Sequence, residues 1–166
     1  MKKQSFYTLL FMTIGLCACH KETSIEKGSG LAADMVATIG AQPWEAADSA
    51  QAAIFSHGMA IISGTSADGQ EISITLNDTV VGLYSLNQSS TSLAVYANLD
   101  SVGSYAFSTN QGVDTSQAGG TVNVISVDPV KRLISGVFSF KVYRDQDNSQ
   151  RNITQGVFYD IPYTDQ

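Results

Sequence analysis

The sequence predicts an all-β domain, an antiparallel β-sandwich or flattened β-barrel of about eight to ten strands. Three observations lead there. Short apolar runs recur roughly every eight to fifteen residues, separated by turn residues. Several runs alternate apolar and polar residues with the period of two that turns one face inward. Parallel neighbours would need crossover helices of roughly ten or more residues between strands. Only Ala46 to Ala53 is a weak helical candidate, and it lacks room.

The elements follow in order. Val36–Ile39 opens the domain, and Pro43-Trp44 ends an early strand with a large side chain suited to plug the core. Ala53–Phe55 and Met59–Ile62 come next. Asp68-Gly69 is a strong hairpin signal, and it precedes the cleanest strand, Glu71 to Leu76. There Ile72, Ile74 and Leu76 share one face while Ser73 and Thr75 take the other. Leu93, Val95, Ala97 and Leu99 repeat the pattern, followed by Tyr105–Phe107. Gly119-Gly120 opens a strand over Val122–Val127, and Asp128-Pro129 starts a turn, since proline presets its own φ. Ile134, Phe138, Phe140 and Val142 then face Ser135, Ser139 and Lys141 across the strand. Asp145 to Asn148 is a polar tip before Ile153–Ile161.

The N-terminus reads as an address. Lys2 and Lys3 precede an apolar stretch of eleven residues, Phe6 to Leu16. A spanning helix needs roughly 20 apolar residues, so this is a secretory leader. Leu16-Cys17-Ala18-Cys19 resembles the bacterial lipobox, in which the cysteine thiol receives a diacylglycerol and the chain is cut before it. Cys19 is the expected lipidated residue. Cys17 is the rival acceptor, but Ile14-Gly15-Leu16 before it fits less well. The expected organisation is a signal peptide over 1–18, a lipid-anchored tether over 19–33 and a β-domain over 34–166. His20, not Asp, follows the cysteine, which favours outer-membrane placement. The anchor makes a membrane the first expected partner, since each buried CH₂ contributes about 0.8 kcal/mol.

Composition narrows the function classes. The formal charge is -6, and loss of Lys2 and Lys3 with the leader takes it to -8. Nine Lys and Arg in an acidic chain lack the basic stripe that nucleic-acid binding needs. Charged residues are only 14%, which fits strands whose outer faces are Ser, Thr, Asn and Gln.

A family resemblance runs along the same segments. VATIGAQPWEA (36–46), DGQEISITL (68–76), GLYSL (82–86), AVYAN (94–98), GTVNVISVDPVKRLISGVFSFKV (120–142) and NITQGVFYDIPY (152–163) occur in this order. Together they resemble a lipoprotein family of the Bacteroidota, the domain of unknown function 6252. The likeness covers most of residues 34–163, and its most specific parts are Trp44 and the ISGVFSF and ITQGVF pair. It implies a secreted, lipid-anchored β-domain. It implies no activity and transfers no functional residue.

Motifs for chemistry are weak. His20 and His57 are the only histidines, and the only cysteines are Cys17 and Cys19, too few for a zinc site of about four N or S ligands. Asp145-Gln-Asp147-Asn-Ser149 begins like a calcium loop, but Gln150 stands where glycine is required and Gly156 where glutamate is. His57 and Ser56 are adjacent, and adjacent strand side chains point to opposite faces. No G-x-S-x-G elbow and no phosphate loop occurs. No catalytic residue, metal or cofactor is therefore expected.

Two weaker leads remain. Trp44, Tyr84 and Tyr96 form a possible aromatic platform for a sugar ring. Asp48-Ser49-Ala50, Asp78-Thr79-Val80 and Asp100-Ser101-Val102 resemble the O-glycosylation sequon of exported Bacteroidota proteins, with Ser49, Thr79 and Ser101 as acceptors. The expectation is a non-enzymatic envelope lipoprotein whose β-domain binds a glycan or protein partner or serves a structural role. The alternatives are a surface hydrolase using paired carboxylates and a subunit of an envelope complex.

Overall fold

The computed structural model describes residues 34–98, 105–112 and 117–166. The expected signal peptide, the tether and Cys19 lie outside these residues. The strands are β1 (Asp34–Ile39), β2 (Gln42–Glu45), β3 (Gln51–Ser56), β4 (Met59–Thr65), β5 (Gln70–Leu76) and β6 (Gly82–Leu86). They continue as β7 (Leu93–Asn98), β8 (Tyr105–Ser108), β9 (Gly119–Asp128), β10 (Leu133–Arg144) and β11 (Ser149–Asp165). All eleven belong to one sheet, in the order β2-β1-β11-β3-β4-β5-β7-β8-β10-β9-β6, with β11 also paired to β10.

The β10–β11 hairpin organises this sheet. Along its outer edge β11 pairs first with β1 and then, at Tyr163 to Asp165, with β3. β10 pairs with β9 over Leu133 to Lys141 and with β8 at Tyr143. Two runs of strands therefore diverge from the hairpin, β6-β9-β10-β11-β1-β2 and β8-β7-β5-β4-β3. Pairings from β3 through β4, β5, β7, β8, β10 and β11 return to β3.

Three expectations are corrected. The sheet is mixed, because β11 and β3 run parallel. A crossover helix is unnecessary there, since the connection between those neighbours is most of the chain. Among the described residues eleven strands form where eight to ten were expected; β2 and β6 are the additions. Pro43 marks β2 as a strand end in sequence, yet on an edge the missing N–H costs no ladder bond. The weak helical candidate at 46–53 is a turn, with Ala50 N–H donating to the Ala47 carbonyl at 2.8 Å, followed by β3.

The core follows the alternation. Ile72, Ile74 and Leu76 of β5 are fully buried, as are Met35, Ile62, Phe107, Ile153, Phe158 and Ile161. Each such side chain contributes about 1.5–3 kcal/mol relative to exposure. The two runs meet through these faces: a Cβ on Gly64 of β4 would stand 2.8 Å from Met35 Sδ of β1. Phe55 and Tyr163 stack across the parallel seam at 4.0 Å between centroids.

The expected turns form where local chemistry places them. Gly69 takes φ 82 in the β4–β5 hairpin, where Ser66 N–H donates to the Gln70 carbonyl at 2.8 Å. Asp128 Oδ1 accepts the N–H groups of Val130 and Lys131, both at 2.9 Å. Asp145 to Asn148 is the tip between β10 and β11, with Asn148 at φ 55.

Candidate functional site

The run β6-β9-β10-β11-β1-β2 carries a continuous outer face. Its register places Leu83, Asn123, Val137, Val157, Val36 and Glu45 side by side across six strands. Beside that row lie Ser85, Thr121 and Ser139. The next strand, β11, bulges here. Its register against β10 slips between Phe138 and Phe140, and Gln155 takes φ 54. A two-for-one bulge bends the strand and re-aims its side chains.

The bend leaves a hollow of about 550 Å³. Val137 and Val157 supply apolar surface, while Thr121, Asn123, Ser139 and Gln155 supply polar groups. A second hollow of about 390 Å³ shares Ser139 and adds Lys141, Asn152 and Thr154. Gly119 and Gly120 also line this hollow, and a Cβ on either would run into the backbone of a neighbouring strand, at the Leu86 carbonyl for Gly119 and the Ser139 carbonyl for Gly120. Among the described residues the polar lining is hydroxyls and amides with one ammonium, and no Asp or Glu lines either hollow. Some capacity is already used: Thr38 Oγ1 donates to Gln155 Oε1 at 3.2 Å, and Ser139 Oγ donates to the Ile153 carbonyl at 3.4 Å. Such a trough can hold an uncharged ligand rich in hydrogen-bonding groups.

Sequence reasoning did not single out these residues. Alternation alone places Ser139 and Lys141 on the face of β10 opposite its apolar residues. The available signal was a patch of neutral polar residues on three consecutive strands next to Gly119-Gly120. Recognising it required the register and the bulge.

The aromatic candidates stand apart from the trough. Trp44 is 5% exposed, packs in the core and donates from Nε1 to the Gln70 carbonyl at 3.2 Å. Tyr96 is equally buried, and its hydroxyl donates to Gln70 Oε1 at 2.9 Å. A ring buried this far offers no face to an outside sugar. Tyr84 is half-buried, with its hydroxyl bound to the Val80 carbonyl at 2.6 Å. Burial raises the Tyr84 and Tyr96 phenols above their usual range.

Of the three sequon residues, Ser49 is exposed on the turn before β3. Thr79 lies between β5 and β6, with its N–H bonded to Asp78 Oδ1 at 2.7 Å. Ser101 lies outside the described residues.

The remaining motifs resolve locally. Ser56 Oγ and His57 Nδ1 are 2.8 Å apart, although strand alternation predicted them to diverge. The reason is backbone geometry: His57 has φ 51 in the β3–β4 turn, so the alternation ends at Ser56. Both are on the exposed tip. In the 145–149 segment Arg144 binds Asp147 through both Nε and a terminal nitrogen, and Ser149 Oγ donates to Asp147 Oδ1 at 2.6 Å. These partners hold the Asp147 carboxyl well below the usual carboxylate range, the Arg144 bond contributing most. Asp68 is lowered by bonds from Ser66 and Gln70, and Asp128 by the N–H groups of its turn. Among the described residues, no three His, Cys, Asp or Glu lie together as metal ligands would.

At one end of the core, Arg144 and Arg151 place their guanidinium carbons 4.9 and 5.1 Å from the Phe107 ring centre. Arg144 also covers Tyr105 at 4.8 Å. These are cation–π contacts.

Fold and surface together define an all-β domain on one mixed sheet with an open, mostly apolar trough carrying a few neutral polar groups on its outer face. The family described as domain of unknown function (DUF6252) matches residues 33–162, a span that begins just before β1 and ends within β11. The chain belongs to that family. No curated protein and no solved structure matches it.

Proposed function

We propose that this chain is a lipid-anchored module of the bacterial cell envelope, non-catalytic, whose β-domain binds an uncharged, hydroxyl-rich ligand such as a glycan. In this reading Cys19 carries the lipid, residues 20–33 are a tether, and the domain stands at the outer membrane as a flattened barrel. The leader-like N-terminus supports the address. The observation that carries the binding role is the trough on β9, β10 and β11. Its polar lining is neutral apart from Lys141, and it lies on rigid strands, not on a loop. Sites on strands hold their groups in fixed positions, which lowers the ordering cost of binding.

Two experiments test the two halves. Cys19→Ala should move the full chain from the membrane fraction to the soluble fraction; persistence in the membrane removes the anchor. The released full chain should then retain neutral oligosaccharides on a glycan array, and Asn123→Ala should weaken that retention about tenfold, the loss expected for one or two hydrogen bonds. Retention unchanged by Asn123→Ala, or no retention of any neutral glycan, removes the trough as the site. Ser49, Thr79 and Ser101 stay as proposed glycan acceptors, read out by the intact mass of the native protein.

A further inference from the structure

We propose that β6 is a self-association edge, along which two copies of this chain pair antiparallel and join their sheets into one. The strand order has two ends, β2 and β6, and they differ in kind. β2 is four residues long and contains Pro43, which has no N–H to offer, and Glu45, which brings a charge. Short length, proline and charge are the devices by which edge strands resist pairing. β6, Gly82-Leu83-Tyr84-Ser85-Leu86, has neither proline nor charge. Among the described residues no strand pairs its far side. Among the described residues a loop hydroxyl, Ser90 Oγ, reaches its backbone, donating to the Ser85 carbonyl at 2.6 Å.

The side chains around this edge are apolar and in water. Among the described residues six large apolar side chains are exposed: Met59, Val80, Val81, Leu83, Ile125 and Val130. Four of them gather here. Gly82 pairs with Val124 and Leu83 with Asn123, so Val80, Val81 and Leu83 lie beside Ile125 of β9. Leu83 is 71% exposed. Concentration of apolar surface at one undefended edge marks an interaction site.

Charge selects the occupant. Residues 79–99 contain no Asp, Glu, Lys, Arg or His, in a chain of formal charge -6. Two copies repel each other over an acidic surface, and this edge is where they approach without like charges facing. A charged partner gains nothing there. A strand edge is also complementary to itself: a two-fold axis aligns its N–H groups with the carbonyls of its mate, giving an isologous interface. That axis sets Leu83 directly or diagonally against its counterpart in the second copy, covering both.

The test uses the full chain in membranes. Leu83→Cys, treated with a short bismaleimide, should yield a species of twice the monomer mass. Val130→Cys, 91% exposed on the β9–β10 turn, should not, nor should the unmodified chain with its native cysteines. In detergent, Leu83→Lys should halve the light-scattering mass of the protein. A change at so exposed a side chain leaves the core untouched. A Leu83→Cys chain that stays monomeric, links equally at Val130→Cys, or links only to a species of another mass overturns the proposal. So does an unmodified chain that is monomeric at every concentration.

Discussion

Ser135 is a buried polar side chain, 5% exposed, and both of its hydrogen-bonding capacities go to one residue. Its Oγ accepts the Asp160 N–H at 2.9 Å and donates to Asp160 Oδ1 at 3.2 Å. Asp160 has φ 49, a left-handed conformation that a non-glycine residue adopts in a strand only when neighbours hold it. The pair therefore fixes a bulge in β11 opposite Ser135, where the register against β10 slips. Ser135→Ala should lower stability by about 1–3 kcal/mol, since it leaves the Asp160 N–H unpaired in a partly buried place. Urea denaturation gives the number, and an unchanged midpoint would show that Ser135 does not hold the bulge. The alternation of β10 assigned Ser135 to the solvent side. Its burial depends on an extra residue in a partner strand, which no local pattern announces. His57 is the same lesson in a turn: one positive φ joins two side chains that alternation separates.

Among the elements, the β10–β11 hairpin is the most exacting. A Cβ on Gly136 would stand 2.5 Å from the Asn123 carbonyl oxygen and crowd the Cζ edge of the Phe158 ring. One obstacle is backbone of β9 and the other is a fully buried ring, so neither yields easily. Gly136→Ala should cost about 1–3 kcal/mol, the range of overpacked cores. Gly40 provides the contrast. It has φ 65 and nothing within 4 Å of its would-be Cβ, so Gly40→Ala should cost only the conformational strain, about 1–2 kcal/mol. The two differ in remedy: Asn, tolerant of positive φ, should recover much of the loss at 40 and none at 136. Thermal unfolding of the four variants separates crowding from backbone strain. Strands with alternating apolar residues were legible, β5 most clearly. β2 and β6 were not, because an edge strand relaxes the alternation and the ban on proline by which strands are recognised.

For the whole molecule, acidic groups set the pH response. Asp68, Asp128 and Asp147 all have carboxyls held below their ordinary value in the folded state. A lowered folded pKa means that the unfolded chain takes up the proton first as pH falls. Their contribution is thus complete above about pH 4 and is lost progressively below it. Tyr84 and Tyr96 act at the other limit. Their folded values are raised, so the unfolded chain ionises first once the pH passes about 10, and stability declines there. Urea midpoints should form a plateau between these limits. Asp147→Asn should flatten part of the acid arm; an acid arm identical in that variant would show that the Arg144 pair is not among its causes. At this scale the all-β class was legible from periodicity and turn chemistry. The mixed sheet was not, because the parallel seam joins residues 53–55 to 163–165, beyond the reach of any local signal. The trough was hidden for the same reason: its lining comes from three strands whose register is set by bulges.

The seam also has a meaning in time. β11 emerges last of the strands, and it seats against β1, β10 and β3. Until it is made, each of those three lacks a neighbour along one edge, and Gln166 cannot donate its N–H to the Phe55 carbonyl. Contacts between such distant segments form slowly, because a long loop must close before any bond repays it. A chain wired this way cannot complete its sheet until β11 is made. For a protein proposed to carry a secretory leader, delayed locking would keep the polypeptide in the unfolded state that a translocation channel accepts.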